Sequence, residues 1–281
     1  MSDIATAAPS VTTEISQDPS APEGTFFWYE LLTSDPDAAI DFYTQVVGWT
    51  AADFPNPSEM GDFRYTILST GGRRVAGLMA LTDAMKANGA QPGWLGVIHV
   101  ADVDAATQRI AAAGGTIHKA PADIPTVGRF SVVADHGGAV FELLAPLPME
   151  PEAPPLERTA TGQVGWHEFY SSIGEQAAFD FYARLFGWQT DTAMDMGEMG
   201  MYRIFAKDGT RLGGMMNKPA PLPVSVWTFY INVDAIDAAV ERVKAKGGQI
   251  VTGPVEVSGG SWIVQGIDPQ GAYFALIAPK R

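Results

Sequence analysis

Residues Trp28 to Trp49 read WYELLTSDPDAAIDFYTQVVGW, and the pattern returns from Trp166 to Trp188 as WHEFYSSIGEQAAFDFYARLFGW. Each copy predicts a strand, a short turn, an amphipathic helix and a further strand opening on Gly-Trp. In the first copy Asp35 is the expected N-cap. Pro36 suits the first helical position because its missing N–H would be unpaired there. Ile40, Tyr43 and Val47 fall at i, i+3 and i+7, an apolar stripe that must lie on a sheet. Gly48 ends the helix.

Outward from this stretch the rest of the chain repeats as well. Asp102 to Gly115 corresponds to Asp234 to Gly248, and Gly137 to Leu143 corresponds to Pro269 to Leu276. Six of the seven tryptophans obey the same register, which makes the repeat a duplication rather than a chance motif; Trp262 alone has no partner. Further helices are expected over 103–113, 175–185 and 235–246. Strands are expected near 26–33, 64–69, 74–81, 94–101, 116–119, 129–134 and 139–144, then near 202–206, 211–216, 226–233, 261–266 and 272–278. Because each helix is followed by several short strands, a doubly wound parallel sheet is excluded. The expected fold class is α+β: tandem βαβββ units in two duplicated domains, with curved, mainly antiparallel sheets enclosing clefts and helices outside. The boundaries read as a disordered tail over 1–23, one domain over 24–147, a proline-rich linker over 148–161 and a second domain over 162–281.

Composition narrows the function. A chain of 281 residues with no cysteine has no disulfide, thiolate metal site or cysteine nucleophile. A net charge of −14 repels nucleic acid. No apolar run approaches a membrane span and no secretory signal opens the chain, so the expected location is cytoplasmic and the expected partner a small molecule. The chain is expected as a monomer with internal duplication or as a homodimer.

The βαβββ order, the F-Y-x(4)-G-W after the first helix of each half and the D-x-x-G-A before the last strand resemble the vicinal oxygen chelate superfamily. This superfamily holds glyoxalase I, bleomycin-resistance proteins, fosfomycin-modifying enzymes and extradiol dioxygenases. The resemblance covers about residues 25–279, and is nearest to two-domain glyoxalase-like proteins with W-x-E-L opening each half. It implies a divalent metal (Zn, Fe, Mn or Ni) held by the first strand of a unit and by a Glu on its last strand. The implied first-strand position lies 15 residues before the helix Tyr, at Trp28 and His167, whereas aligning the two W-x-E segments pairs His167 with Tyr29 and turns it to the other face of the strand. Equivalent positions in the other units fall near Leu95 and Thr228, and the last-strand positions are Glu142 and Ala275. Each half thus keeps one ligand of three, short of the usual set. If units of different halves paired, Glu142, His167 and His99 would make a two-His-one-carboxylate group. Otherwise the metal site is lost and no cofactor is expected.

Period-two alternation places Trp28 with Glu30, and Trp166 with Glu168 and Tyr170, on the cleft faces. An indole beside a carboxylate suits a planar or cationic organic ligand, with Glu30 and Glu168 as candidate acid–base groups. The competing reading pairs these carboxylates with Arg64 and Arg203 to hold the sheets. His99, Asn232 and Trp262 complete the candidate ligand-binding residues. Met194, Met196, Met199 and Met201, expected in one loop, and Met215 and Met216 offer adaptable apolar walls. The leading expectation is a glyoxalase-like protein binding a small organic ligand in aromatic clefts without the usual metal. The alternative is a metal-dependent lyase, isomerase or dioxygenase.

Overall fold

The computed structural model describes residues 22–54, 64–148, 153–219, 222 and 224–281. Most of the tail expected over 1–23 and part of the linker lie outside the described residues. The first half runs β1 (Phe26–Thr33), α1 (Pro36–Val47), β2 (Thr50–Asp53), β3 (Tyr65–Thr70), β4 (Arg73–Ala80), α2 (Asp83–Ala87), β5 (Gly93–His99), α3 (Val103–Ala112), β6 (Thr116–Ile124), β7 (Gly128–Ala134) and β8 (Val140–Pro146). The second runs β9 (Val164–Ser171), α4 (Glu175–Phe186), β10 (Gln189–Asp195), β11 (Met201–Lys207), β12 (Thr210–Asn217), β13 (Val226–Asn232), α5 (Ile236–Ala245), β14 (Gln249–Glu256), β15 (Trp262–Ile267) and β16 (Tyr273–Ala278). The class is α+β, as the resemblance implied.

Local chemistry sets the element ends. The Asp35 carboxylate accepts from the Ala38 N–H at 3.1 Å, and Gly48 closes α1 with φ 88°. α4 has Gly174 at its N-cap and no capping side chain of its own. The Asn217 amide oxygen, at the end of β12, accepts from the Glu175 N–H at 2.9 Å instead. Strand β14 and the extension of β6 to Ile124 were hidden by Pro254 and Pro121. Both lie in the outermost strand of their sheet, where a missing N–H faces no partner.

Each half forms one eight-stranded sheet, in the orders β2-β3-β4-β1-β5-β8-β7-β6 and β10-β11-β12-β9-β13-β16-β15-β14. The two units of one half therefore join side by side through the antiparallel β1–β5 and β9–β13 seams. The cross-half pairing that would gather Glu142 and His167 does not form.

The halves meet across the other faces of the sheets. A single apolar core draws on both, including Tyr29, Leu31, Phe42, Phe141, Phe169 and Phe274. α1 packs against α5, and α3 against α4. The repeated motifs supply matched bonds across this junction. Tyr43 donates to Asp268 and Tyr182 to Asp135, both at 3.0 Å. Trp49 donates to the Gly162 carbonyl at 2.8 Å and Trp188 to the Gly24 carbonyl at 2.6 Å. Trp94 and Trp227 each donate to their own half's helix tyrosine at 2.9 Å. Aromatic residues repeated in the sequence thus hold the two halves together, away from the clefts.

Candidate functional site

Alternation along β1 sends Tyr29 and Leu31 into the shared core and Trp28 and Glu30 to the opposite, cleft face. In the first cleft Trp28, Phe54, Tyr65, Ile67, Val97, Val127 and Leu144 form a separate apolar cluster. Trp28 Nε1 donates to Glu30 Oε1 at 2.7 Å, and the Tyr65 hydroxyl donates to the same oxygen. Gly77 lies beside Glu30 in the register, and a Cβ there would collide with the Tyr65 hydroxyl and Glu30 Oε2. Glu30 Oε2 is buried without a hydrogen-bond partner. Burial first, and the Glu142 charge second, push Glu30 up to about 8, while Tyr65 and Trp28 pull against the shift. Burial likewise raises Glu142 to about 7, opposed by the charge of Lys119. A carboxyl pair this far from water holds at least one proton at neutral pH.

The second cleft starts from the same frame. Trp166 Nε1 donates to the Tyr202 hydroxyl at 3.1 Å, and Tyr202 lies over Gly214, which pairs with Glu168. Its filling differs. Gln265 Nε2 donates to the Tyr170 hydroxyl at 2.8 Å and to the Tyr230 hydroxyl at 2.6 Å. The Tyr273 hydroxyl donates to Gln265 Oε1 at 2.7 Å. Burial raises Glu168 to about 7, with the neighbouring Tyr170 and Tyr230 hydroxyls pulling it back. Thr228 stands opposite Glu168 in the register, and its Oγ1 is buried with no partner. Trp166 and Glu168 are only half-buried, whereas Trp28 is 1% exposed. Met194, expected in a loop, lies on β10 opposite Tyr202, and Met216 lies on β12 opposite Tyr170, as its strand predicted. Met215 is core.

The sequence profile of the Glyoxalase/Bleomycin resistance protein/Dioxygenase superfamily matches residues 25–143 and 175–276. The chain belongs to this superfamily. "Putative glyoxylase CFP32" of Mycobacterium tuberculosis is 30% identical over 92% of this chain and 95% of its own. The anthracycline biosynthesis protein DnrV of Streptomyces peucetius is 30% identical over 89% of this chain and 91% of its own. Among solved structures, the Mn(II)-bound glyoxalase of Novosphingobium aromaticivorans superposes with TM-score 0.60 at 16% identity, covering 92% of this chain and 82% of that one. The 2,3-dioxygenase LapB of Pseudomonas sp. KL28 superposes with TM-score 0.62 at 13% identity, covering 90% and 91%. The last two show likeness of fold.

The superfamily's metal positions can now be tested against these residues. In the first cleft β1 offers Glu30 and β8 offers Glu142, while Val97 stands between Trp28 and Glu142 in the register. In the second cleft Glu168 stands with Thr228 and Ala275. Among the described residues no three His, Cys, Asp or Glu side chains gather to hold an ion. The positions the resemblance implied thus present fewer than the usual three ligands in either cleft.

Of the two faces open to His167, the structure takes the one given by aligning the W-x-E segments. His167 lies in the core between the halves, stacked on Phe26 at 4.7 Å. Its Nε2 bonds the Tyr29 hydroxyl and its Nδ1 the Leu212 carbonyl, each at 2.7 Å. Burial lowers its pKa to about 3, so the ring is neutral and both nitrogens are engaged. The cause is register: the repeat aligns Trp166 with Trp28, which turns His167 to the core side. Asn232 is also committed elsewhere, donating to the backbone carbonyls of Arg158 at 2.7 Å and Gln163 at 3.0 Å. Trp262 shares the core-side face of β15 with Val264 and lies under the Arg281 guanidinium. His99 follows Val97 on the first cleft's face, beside Phe27. Arg64 bonds Asp53 and Asp37, and Arg203 bonds Glu175, so neither holds a cleft carboxylate.

Sequence reasoning passed over Tyr65, Tyr202, Tyr230 and Gln265. For the first two a signal existed: a glycine within the neighbouring strand marks a close approach from a large side chain. Gln265 carried no such mark.

Proposed function

We propose that the protein binds a planar, hydroxylated aromatic molecule in the second cleft, without the superfamily's metal. The observation that carries this reading is the grouping of Trp166, Tyr202 and Met216 with Glu168, Tyr170, Tyr230 and Gln265: flat apolar walls around convergent polar groups. The anthracycline biosynthesis relatives name a class of that shape, which makes hydroxyanthraquinones the apt probes. Glu168, titrating near neutrality, is placed to accept a proton from a ligand hydroxyl, so acid–base chemistry on an enol or phenol is the second reading of the same cleft. Trp28 and Glu30 in the first cleft play no part in either. The test is quenching of tryptophan fluorescence by 1,2-dihydroxyanthraquinone, with and without EDTA, followed by chromatography of the bound compound. Saturable quenching indifferent to EDTA supports the binder, and a changed compound supports the acid–base reading. Binding that disappears with EDTA and returns with Mn(II) overturns both.

A further inference from the structure

The floor of the second cleft holds a hydroxyl that the fold itself does not need. Trp227 and Phe229 turn into the shared core, so alternation along β13 sends Thr228, between them, to the cleft face. Thr228 is 3% exposed, and its Oγ1 is buried without a hydrogen-bond partner. Taking a hydroxyl out of water and giving it nothing to bond costs free energy. Valine has the same branched shape and would fill the same space without that cost. The duplication shows that the sheet accepts an apolar side chain here: Leu95 stands opposite Glu30 in the first half as Thr228 stands opposite Glu168 in the second. Packing and register therefore leave the hydroxyl unexplained.

What stands opposite it points to a ligand. Facing residues of an antiparallel pair carry their Cβ atoms about 4.5–5.5 Å apart on one face of the sheet. Thr228 and Glu168 thus set a hydroxyl donor beside a half-buried carboxylate acceptor. A hydroxyl group has one proton to give and lone pairs to receive another. One ligand hydroxyl between the two side chains donates to Glu168, accepts from Thr228 and so satisfies the orphaned group. A methyl group of the same size does neither. Gln265 does not compete for the Thr228 hydroxyl, since its amide is committed to Tyr170, Tyr230 and Tyr273.

We propose that Thr228 is a specificity-determining residue: with Glu168 it holds one hydroxyl group of the ligand, so that the cleft selects phenols or enols over molecules of the same outline with a methyl group there. This rests on the ligand reading above.

The experiment titrates the full chain at pH 7 with 2-hydroxyanthraquinone and with 2-methylanthraquinone, read by tryptophan fluorescence. Wild type is expected to favour the hydroxyl compound by about tenfold or more. Thr228→Val should bring that preference to about threefold or less, by weakening the hydroxyl compound and strengthening the methyl one. Thr228→Ser, which keeps the hydroxyl, should retain it. Urea unfolding of the ligand-free protein supplies an independent readout. The midpoint of Thr228→Val should equal or exceed that of wild type, because no native bond is lost. A lower midpoint would give the hydroxyl a structural partner and overturn the inference, whatever the titrations show. A preference unchanged in Thr228→Val, or lost equally in Thr228→Ser, overturns it too. Equal affinity of wild type for both compounds overturns the selectivity alone. Binding of neither overturns the ligand reading and the selectivity with it.

Discussion

The two clefts share a frame and differ in their filling. Trp28, Glu30, Tyr65 and Gly77 in one half match Trp166, Glu168, Tyr202 and Gly214 in the other. Around that frame, strand register aligns Leu32 with Tyr170, Val97 with Tyr230, Val132 with Gln265, Val140 with Tyr273, and Glu142 with Ala275. Four aliphatic side chains in the first cleft are thus hydroxyls or an amide in the second, and the second carboxylate of the first is a methyl group. The first cleft therefore closes into apolar packing around a carboxyl pair. The second sets a single half-buried carboxyl in a cleft with a hydrogen-bonded group of three tyrosines and Gln265. A duplicated fold can keep one half for architecture while the other carries the ligand, because changing the filling leaves the sheet registers intact.

The comparison breaks most readily at the indoles. Trp28→Ala should cost about 3–5 kcal/mol of stability by opening a cavity, while Trp166→Ala costs clearly less, since its side chain is already half-buried. Anthraquinone binding should be lost in Trp166→Ala and kept in whatever folded Trp28→Ala survives. Urea unfolding and the fluorescence titration, taken together, decide this; equal costs would mean the clefts are equivalent.

A smaller effect separates the carboxyls. Glu30 has a folded pKa of about 8, above its unfolded value, so the folded state holds the extra proton. Stability should be full below about pH 4.5 and fall as the pH rises towards and through 8. Glu30→Gln should remove most of that loss, as read from thermal unfolding at pH 5 and 9. His167 acts in the opposite direction: buried neutral with a pKa of about 3, it should reduce stability as the pH falls below 6.5. A Glu30→Gln variant whose alkaline loss equals that of wild type would assign the titration elsewhere.

Binding should follow Glu168 instead. If the ionised carboxyl accepts the ligand hydroxyl, affinity rises with pH through about 7. Glu168→Gln should then lower affinity about tenfold at pH 8 and flatten the profile, with Glu30→Gln unchanged from wild type. Most symmetrical should be Tyr43→Phe and Tyr182→Phe. Each removes the bond to the other half's aspartate and also the acceptor of the Trp94 or Trp227 N–H, and should cost about 1–3 kcal/mol. Unequal costs in urea unfolding would show that the junction, like the clefts, has diverged.

Much of this was legible in residue order. The caps at Asp35 and Asp102, the glycine helix ends, the repeated indoles and the alternation that turned Trp28, Glu30, Trp166 and Glu168 to one face are local properties. His167 shows where local reading ends. Spacing from the helix and alignment with Trp28 differ by one residue, and the two choices put its ring on opposite faces of the strand. Trp262 failed for a related reason, since its strand partner and face follow from pairing with β16.

By itself the sequence determined the duplication and the α+β class, because each depends on periodicity. Only the tertiary structure decided that units pair within a half, that the F-Y and G-W aromatics serve the junction, and that Tyr170, Tyr230 and Tyr273 join Gln265 in one hydrogen-bonded group. Those facts depend on which strands become neighbours. Long-range hydrogen-bond registers decide that, joining residues as distant as Tyr170 and Gln265. No short stretch of chain contains the information.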